Sequence, residues 1–179
     1  MDKFVYSEPV VEFMTVAVQT CVYLEQQMEH DSYEKMMGTL LRLLPVLYVK
    51  TLLVPEVPVS VDLPIATGND DFLQAYCSEE DYNNILIAVN RKLGNDDAYI
   101  SLPVEGGRYD DIAESRSISE DIADIYQALK DMASNYQTHN EQVMHEAISE
   151  CIDSFRYYWG RRLLDAVHAL HVLEYDIVS

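Results

Sequence analysis

Apolar residues fall along the chain in stripes with helical spacing. Val10, Met14, Val18, Cys21 and Met28 follow a Ser7-Glu8-Pro9 start, where a proline is tolerated in the first turn, and they predict a helix over about residues 8–29. Asp31 and Ser32 can cap a second helix, whose apolar side carries Tyr33, Met36, Met37, Leu40, Leu44 and Leu47 and which Pro45 should kink. Val46, Val49 and Leu53 lie opposite the Leu40–Leu47 face, so from Val46 onward that helix is apolar all the way round. Such a helix is expected at the centre of its fold. Pro55, Pro58 and Pro64 then break regular structure, and residues 54–77 form a long acidic connection.

The stretch "SEED" at 78–81 has capping-box spacing with Asp81 in the acidic position, and Tyr82, Ile85, Leu86 and Val89 continue it as a short third helix ending before Gly94. Residues 94–117 make a second long connection containing "AYISLPV", which suits one brief strand. Ser117 and Glu120 repeat the capping spacing, and Ile122, Ile125, Tyr126, Leu129, Met132 and Ala133 form the stripe of a fourth helix that ends near Tyr136. A last helical segment starts around Asn140. Advancing about 100° per residue from Trp159, the residues Ile148, Ile152, Phe155, Leu163, Ala166, Leu170 and Leu173 fall within roughly 40° of one line, which passes Gly160 without slipping. One helix continuing to about residue 174, roughly 50 Å long, accounts for the pattern, with room for a mild bend at Gly160. The expected fold class is all-α: a helical bundle of about five main helices with two long acidic connecting loops, in a single domain over 1–179.

Composition sharpens the class. The chain of 179 residues is 49% hydrophobic and carries 31 acidic against 12 basic residues, a formal net charge of -19. This field opposes phosphate backbones and anionic membrane surfaces, so neither nucleic acid nor membrane is an expected partner. Residues 51–124 hold 16 acidic and 4 basic residues, so the middle of the chain carries most of the excess. The acids gather in connections and not along a helical stripe, which argues against a mimic of DNA. Cys21, Cys77 and Cys151 are odd in number and lack C-x-x-C pairing, which suggests a reducing compartment and no zinc site. Asp2, Glu8 and Glu12 interrupt the first apolar run, which also lacks a basic flank, and the cytoplasm is the expected location.

Candidate chemistry concentrates in "YYWGRRLLDAVHALH", residues 157–171. Two histidines spaced H-x-x-H can share a metal, but His168 lies opposite the Trp159 line, His171 sits about 60° away, and no Glu-x-x-His occurs to complete a helical site. No metal and no cofactor are expected. Arg161 and Arg162 could receive an anion through bidentate contacts, although neutralising the chain's own carboxylates explains them more simply. "GNDD" at 68–71 and 94–97 lacks the D-x-D-x-D spacing of a calcium loop and fits turn and helix-cap chemistry. There is no G-x-S-x-G, P-loop or G-x-G-x-x-G, and Cys21 and Cys151 lie on or beside apolar stripes, where a thiol is usually inert. Whether the chain catalyses anything stays open.

Four stretches, "FVYSEPVVEFMTVA" at 4–17, "LLPVLYVK" at 43–50, "SISEDIADIYQALKD" at 117–131 and "FRYYWGRRLLDAVHALH" at 155–171, together resemble a family of small helical proteins from Bacteroides-type bacteria, the domain-of-unknown-function family numbered 5063. The resemblance implies a cytoplasmic single domain and brings no activity, cofactor or catalytic residue. Its last motif has Y-W-G, a leucine, then A-L-x-A-L-H, so Trp159, Gly160 and His171 match, while His168 stands where other residues are usual.

The functional expectation is a protein-interaction or adaptor module. From Tyr157 onward the back of the last helix carries Tyr157, Leu164, His168 and Val172, as if covered on both sides by a partner protein or, in a homodimer, by a second copy. The alternative is a small-ligand or metal-dependent enzyme with a cleft near Trp159, Arg162 and His171. Candidate contacts are therefore Tyr157, Trp159, Arg161, Arg162, Leu164, His168 and His171.

Overall fold

The structure, a computed structural model, describes residues 3–56, 73–101 and 113–175, together with the backbone of 104–105 and 108–109. Glu8 and Pro9 occupy the first turn of α1 (Glu8–Val22), which runs on through a π-turn at Tyr23–Gln27 and a 3-10 turn at Met28–His30. Ser32 caps α2 (Tyr33–Leu52), its hydroxyl accepting from the Lys35 N–H, and the helix continues through Pro45. At the start of α3 (Glu79–Leu93) the capping box is complete, with the Ser78 hydroxyl on the Asp81 N–H and the Asp81 carboxylate on the Ser78 N–H. Then come β1 (Ala98–Ser101), β2 (Val104–Glu105), β3 (Arg108–Tyr109), β4 (Glu114–Ser117) and α4 (Ile118–Tyr136). After α4 come α5 (Glu141–Ser154), capped by Asn140, and α6 (Gly160–Tyr175). The fold is an all-α bundle, as the stripes predicted, with a small β-ribbon added.

That ribbon replaces the expected loop with its single strand. β1 pairs antiparallel with β4, Ala98 opposite Ser117 and Ser101 opposite Glu114, and β2 pairs with β3. The partner strand "ESRS" has no apolar alternation to announce it, so only the pairing reveals it. Asp97, from the second "GNDD", is buried and accepts from the Ser119 N–H at 2.7 Å, the Ser119 hydroxyl at 2.6 Å and the Asn90 amide at 2.7 Å. It thereby fixes the start of α4 to the root of the ribbon, which is cap chemistry delivered across 22 residues. The first "GNDD" and most of the first acidic connection lie outside the described residues.

α4 is the central helix, packed against α1, α3, α5 and α6 through Ile122, Ile125, Tyr126, Leu129 and Met132, all buried. The expectation that α2 is central does not hold. α2 packs on α1 and α6 through Leu40, Leu44 and Leu47, while Val46, Val49, Leu52 and Leu53 are 47–59% exposed. With α4 in the middle, the neighbours of α2 among the described residues lie on one side, and its second apolar face stays exposed.

The last helix is continuous, as its stripe predicted. Ile148, Ile152, Phe155, Trp159, Leu163, Ala166 and Leu170 are buried and Leu173 partly so. α5 passes into α6 through a π-turn at Phe155–Trp159, whose wider loop brings the Gly160 N–H to the Phe155 carbonyl. A β-carbon at Gly160 would lie 2.4 Å from that oxygen, so the position admits no side chain. Among the described residues, no helix is long and apolar enough to cross a membrane.

Candidate functional site

Where the ribbon meets α4 and α6, the sequence brings together charges that are far apart along the chain. Asp121 lies one turn before Ile125 on α4 and is drawn inside with the apolar stripe, at 0% exposure. A carboxylate buried this deeply needs donors on both oxygens. The ribbon supplies them: Arg116 of β4 donates to Oδ1, and the Tyr99 hydroxyl of β1 donates to Oδ2. Burial pushes the Asp121 carboxyl up to about 6, against the Tyr99 and Arg116 hydrogen bonds that pull it down. Asp165 of α6 adds to that upward push, and its Oδ2 is buried without a hydrogen-bond partner.

One turn further along α4, Asp124 accepts from the hydroxyl of Tyr82 on α3 at 2.9 Å and from that of Tyr158 in the π-turn at 2.7 Å. Arg162 of α6 lies between the two aspartates. Its Nη1 is 3.9 Å from Asp121 Oδ1, its Nε is 3.7 Å from Asp124 Oδ2, and its guanidinium carbon stands 5.1 Å over the Tyr158 ring. These are ion pairs without hydrogen bonds, supplemented by a cation–π contact. Tyr82, Glu114, Arg116, Glu120, Asp124, Tyr158 and Arg162 line a cleft of about 320 Å³. Glu120 has left the expected capping box: Ser117 Oγ accepts from the Glu120 N–H at 3.3 Å, but the Glu120 carboxylate lines the cleft.

The arrangement can bind and orient charged groups. The thiols offer no nucleophile, since burial raises Cys21 to about 12, Cys77 to about 11 and Cys151 well above its ordinary value. Among the described residues, no three His, Cys, Asp or Glu side chains are grouped to hold a metal ion.

Of the residues singled out in the sequence, Arg162 alone lines this cleft. Trp159 is fully buried, packs on Phe155 at 4.8 Å between ring centroids, and gives its indole N–H to the Cys151 carbonyl at 3.0 Å. His171 is exposed and leans on Tyr175, so Trp159, Arg162 and His171 do not share a cleft. Arg161 and His168 are exposed, as are Tyr157 at 86%, Leu164 at 48% and Val172 at 37%. The back of α6 is thus open in the chain itself, where the sequence suggested cover on both sides. Sequence reasoning missed Tyr82, Tyr99, Arg116, Asp121, Asp124 and Tyr158. One signal was available: Asp121 is an acid on the shoulder of a strongly apolar stripe, next to Ile122 and one turn from Ile125.

The fold defines a class of small all-α bundle in which a β-ribbon inserted before the central helix carries polar residues onto it. The family model "Domain of unknown function (DUF5063)" matches residues 4–176, and the chain belongs to that family. A crystal structure of protein BF1032 from Bacteroides fragilis is similar at 29% identity and a TM-score of 0.81, with 98% of each chain covered. No curated protein matches the chain.

Proposed function

We propose that the protein is an interaction module that docks an acidic amphipathic helix of a partner protein on the outward face of α2 and α6. The observation that carries this is the row Val46, Val49, Leu52 and Leu53, which are 47, 52, 59 and 55% exposed over two turns of α2. Soluble chains rarely leave such a run uncovered unless something docks on it. α2 packs beside α6, with Tyr48 on Phe155 at 5.2 Å, and the outward side of α6 adds Tyr157, Leu164, Val172 and Tyr175.

Charge selects the occupant. Arg42 of α2 and Arg161, His168 and His171 of α6 are exposed beside these apolar residues, and among the described residues neither Arg42 nor Arg161 is in an ion pair. In a chain of net charge -19, a face edged by unpaired cations favours acids and apolar anchors in its partner. A second copy would set like charges against each other, so the homodimer is the less favoured form. The three cysteines are unpaired, which supports a reducing compartment such as the cytoplasm.

The test is fluorescence anisotropy with a labelled helical peptide that carries leucines at helical spacing and glutamates elsewhere, beside the same peptide with lysines. The glutamate peptide is expected to bind the full chain at least tenfold more tightly than the lysine peptide, and Val49→Asp with Leu53→Asp should abolish that binding. Equal binding of both peptides, or none, overturns the reading. A dimer in light scattering that Leu164→Asp dissolves would also overturn it, in favour of self-association.

A further inference from the structure

We propose that the cleft between α4, α6 and the ribbon binds a small zwitterion of the α-amino acid type, its carboxylate on Arg162 and its ammonium on Glu120 and Asp124. Arg162 has five N–H donors, its side chain is only 25% exposed, and its nearest carboxylate oxygens, at 3.7 and 3.9 Å, lie beyond hydrogen-bonding distance. Arg116 and Tyr99 hold Asp121, whereas each Asp124 oxygen takes one tyrosine hydroxyl, from Tyr82 or Tyr158, and keeps a lone pair for an ammonium. The guanidinium stands over the Tyr158 ring, which holds its donors in position, and its side chain is partly open to the cleft, so an entering oxyanion can take the hydrogen bonds that Asp121 and Asp124 are too far away to make.

A simple anion does not suit the remainder of the wall. Glu114, Glu120 and Asp124 outnumber Arg116 and Arg162 in the lining, and neither Glu114 nor Glu120 is in an ion pair among the described residues. A purely anionic ligand would meet that excess, and a purely cationic one would leave the Arg162 donors unfilled. A ligand carrying both charges satisfies both halves. The spacing agrees: Arg162 Nε and Asp124 Oδ2 are 3.7 Å apart, and the ammonium nitrogen and carboxylate oxygen of an α-amino acid lie about 3 Å apart. Glu120 stands one turn before Asp124 on α4 and offers the second acceptor. A volume of about 320 Å³ is at the lower end of ligand pockets, which suits a single amino acid.

The experiment is thermal denaturation and titration calorimetry of the full chain with the twenty L-amino acids, first pooled and then singly. Three further arms use the N-acetyl derivative, which lacks the ammonium, the amide, which lacks the carboxylate, and inorganic phosphate. At least one amino acid is expected to raise Tm by about 5 °C at saturation. Its N-acetyl and amide forms should bind at least tenfold more weakly. Arg162→Gln and Glu120→Gln should each weaken binding tenfold or more, while Arg161→Gln leaves it intact. Glu120 is exposed, so its variant carries the test should Arg162→Gln fail to fold. No shift with any amino acid, equal binding of the N-acetyl form, binding of phosphate alone, or unchanged binding in Glu120→Gln overturns the proposal.

Discussion

Among the described residues, five tyrosine hydroxyls donate to side-chain carboxylates: Tyr23 to Asp31, Tyr82 and Tyr158 to Asp124, Tyr99 to Asp121, and Tyr126 to Glu25. With 31 acidic and 12 basic residues, the chain is short of cations, and a phenol is a donor that adds no charge and little desolvation cost. Burial first and the carboxylate next push Tyr82, Tyr99, Tyr126 and Tyr158 above their ordinary value, Tyr158 to about 12. Tyr23 also reaches about 12, through burial first, with a Thr39 hydrogen bond pulling it down and the Asp31 carboxylate adding to the rise. A tyrosine whose folded value lies above its unfolded value of about 10 holds its proton more tightly in the native state. Its contribution to stability is complete below pH 10 and is lost as pH rises through the folded value. Absorbance titration at the phenolate band should therefore show a group of tyrosines silent until about pH 12, with cooperative unfolding in the same window. Ordinary titration of all thirteen tyrosines near pH 10 would contradict this. None of these pairings was legible in the sequence, because a tyrosine at helical spacing looks the same whether its hydroxyl meets water or a carboxylate 101 residues away, as with Tyr126 and Glu25.

At the scale of the element, the π-turn at Phe155–Trp159 lets α5 and α6 form one helix around a filled core. It turns Tyr158 toward Asp124 while Trp159 stays buried on the stripe, so the turn serves the core and the cleft together. Gly160 is the position the turn depends on. Its backbone is ordinary αR, with φ -64, so the constraint is steric: a β-carbon meets the Phe155 carbonyl at 2.4 Å and the Phe155 ring at 2.7 Å. Gly160→Ala should cost about 2 kcal/mol by overpacking, against the usual gain from replacing a helical glycine. Urea denaturation is the check, and a variant as stable as the parent would show that the turn relaxes. The continuous stripe was legible because helical periodicity survives one inserted residue within its tolerance. The turn itself was not, since π and α backbones differ by less than the spread of the pattern.

For the whole molecule, the net charge of -19 acts on a fold with few exposed ion pairs among the described residues to offset it. Lys50–Glu12, Arg91–Glu29 and Arg156–Asp153 are partly or well exposed, and each contributes about 0–1 kcal/mol at most. Self-repulsion among the remaining acids should dominate, so raising NaCl from 10 to 150 mM, which shortens the screening length from about 30 to about 8 Å, should raise Tm by a few degrees. A falling Tm in a calorimetric salt series would mean that local pairs outweigh the field. The sequence by itself determined which residues are helical, where Ser78, Ser117 and Asn140 start helices, and which side chains form the stripes, because these depend on spacing along a single turn. Tertiary structure decided which helix lies at the centre and so which apolar face of α2 stays open. It also gathered Tyr82, Tyr99, Arg116, Asp121, Asp124, Tyr158 and Arg162 from α3, the ribbon, α4, the π-turn and α6 into one polar cluster. Pattern along one element records that a face is apolar or charged, and only the packing of elements determines what that face meets.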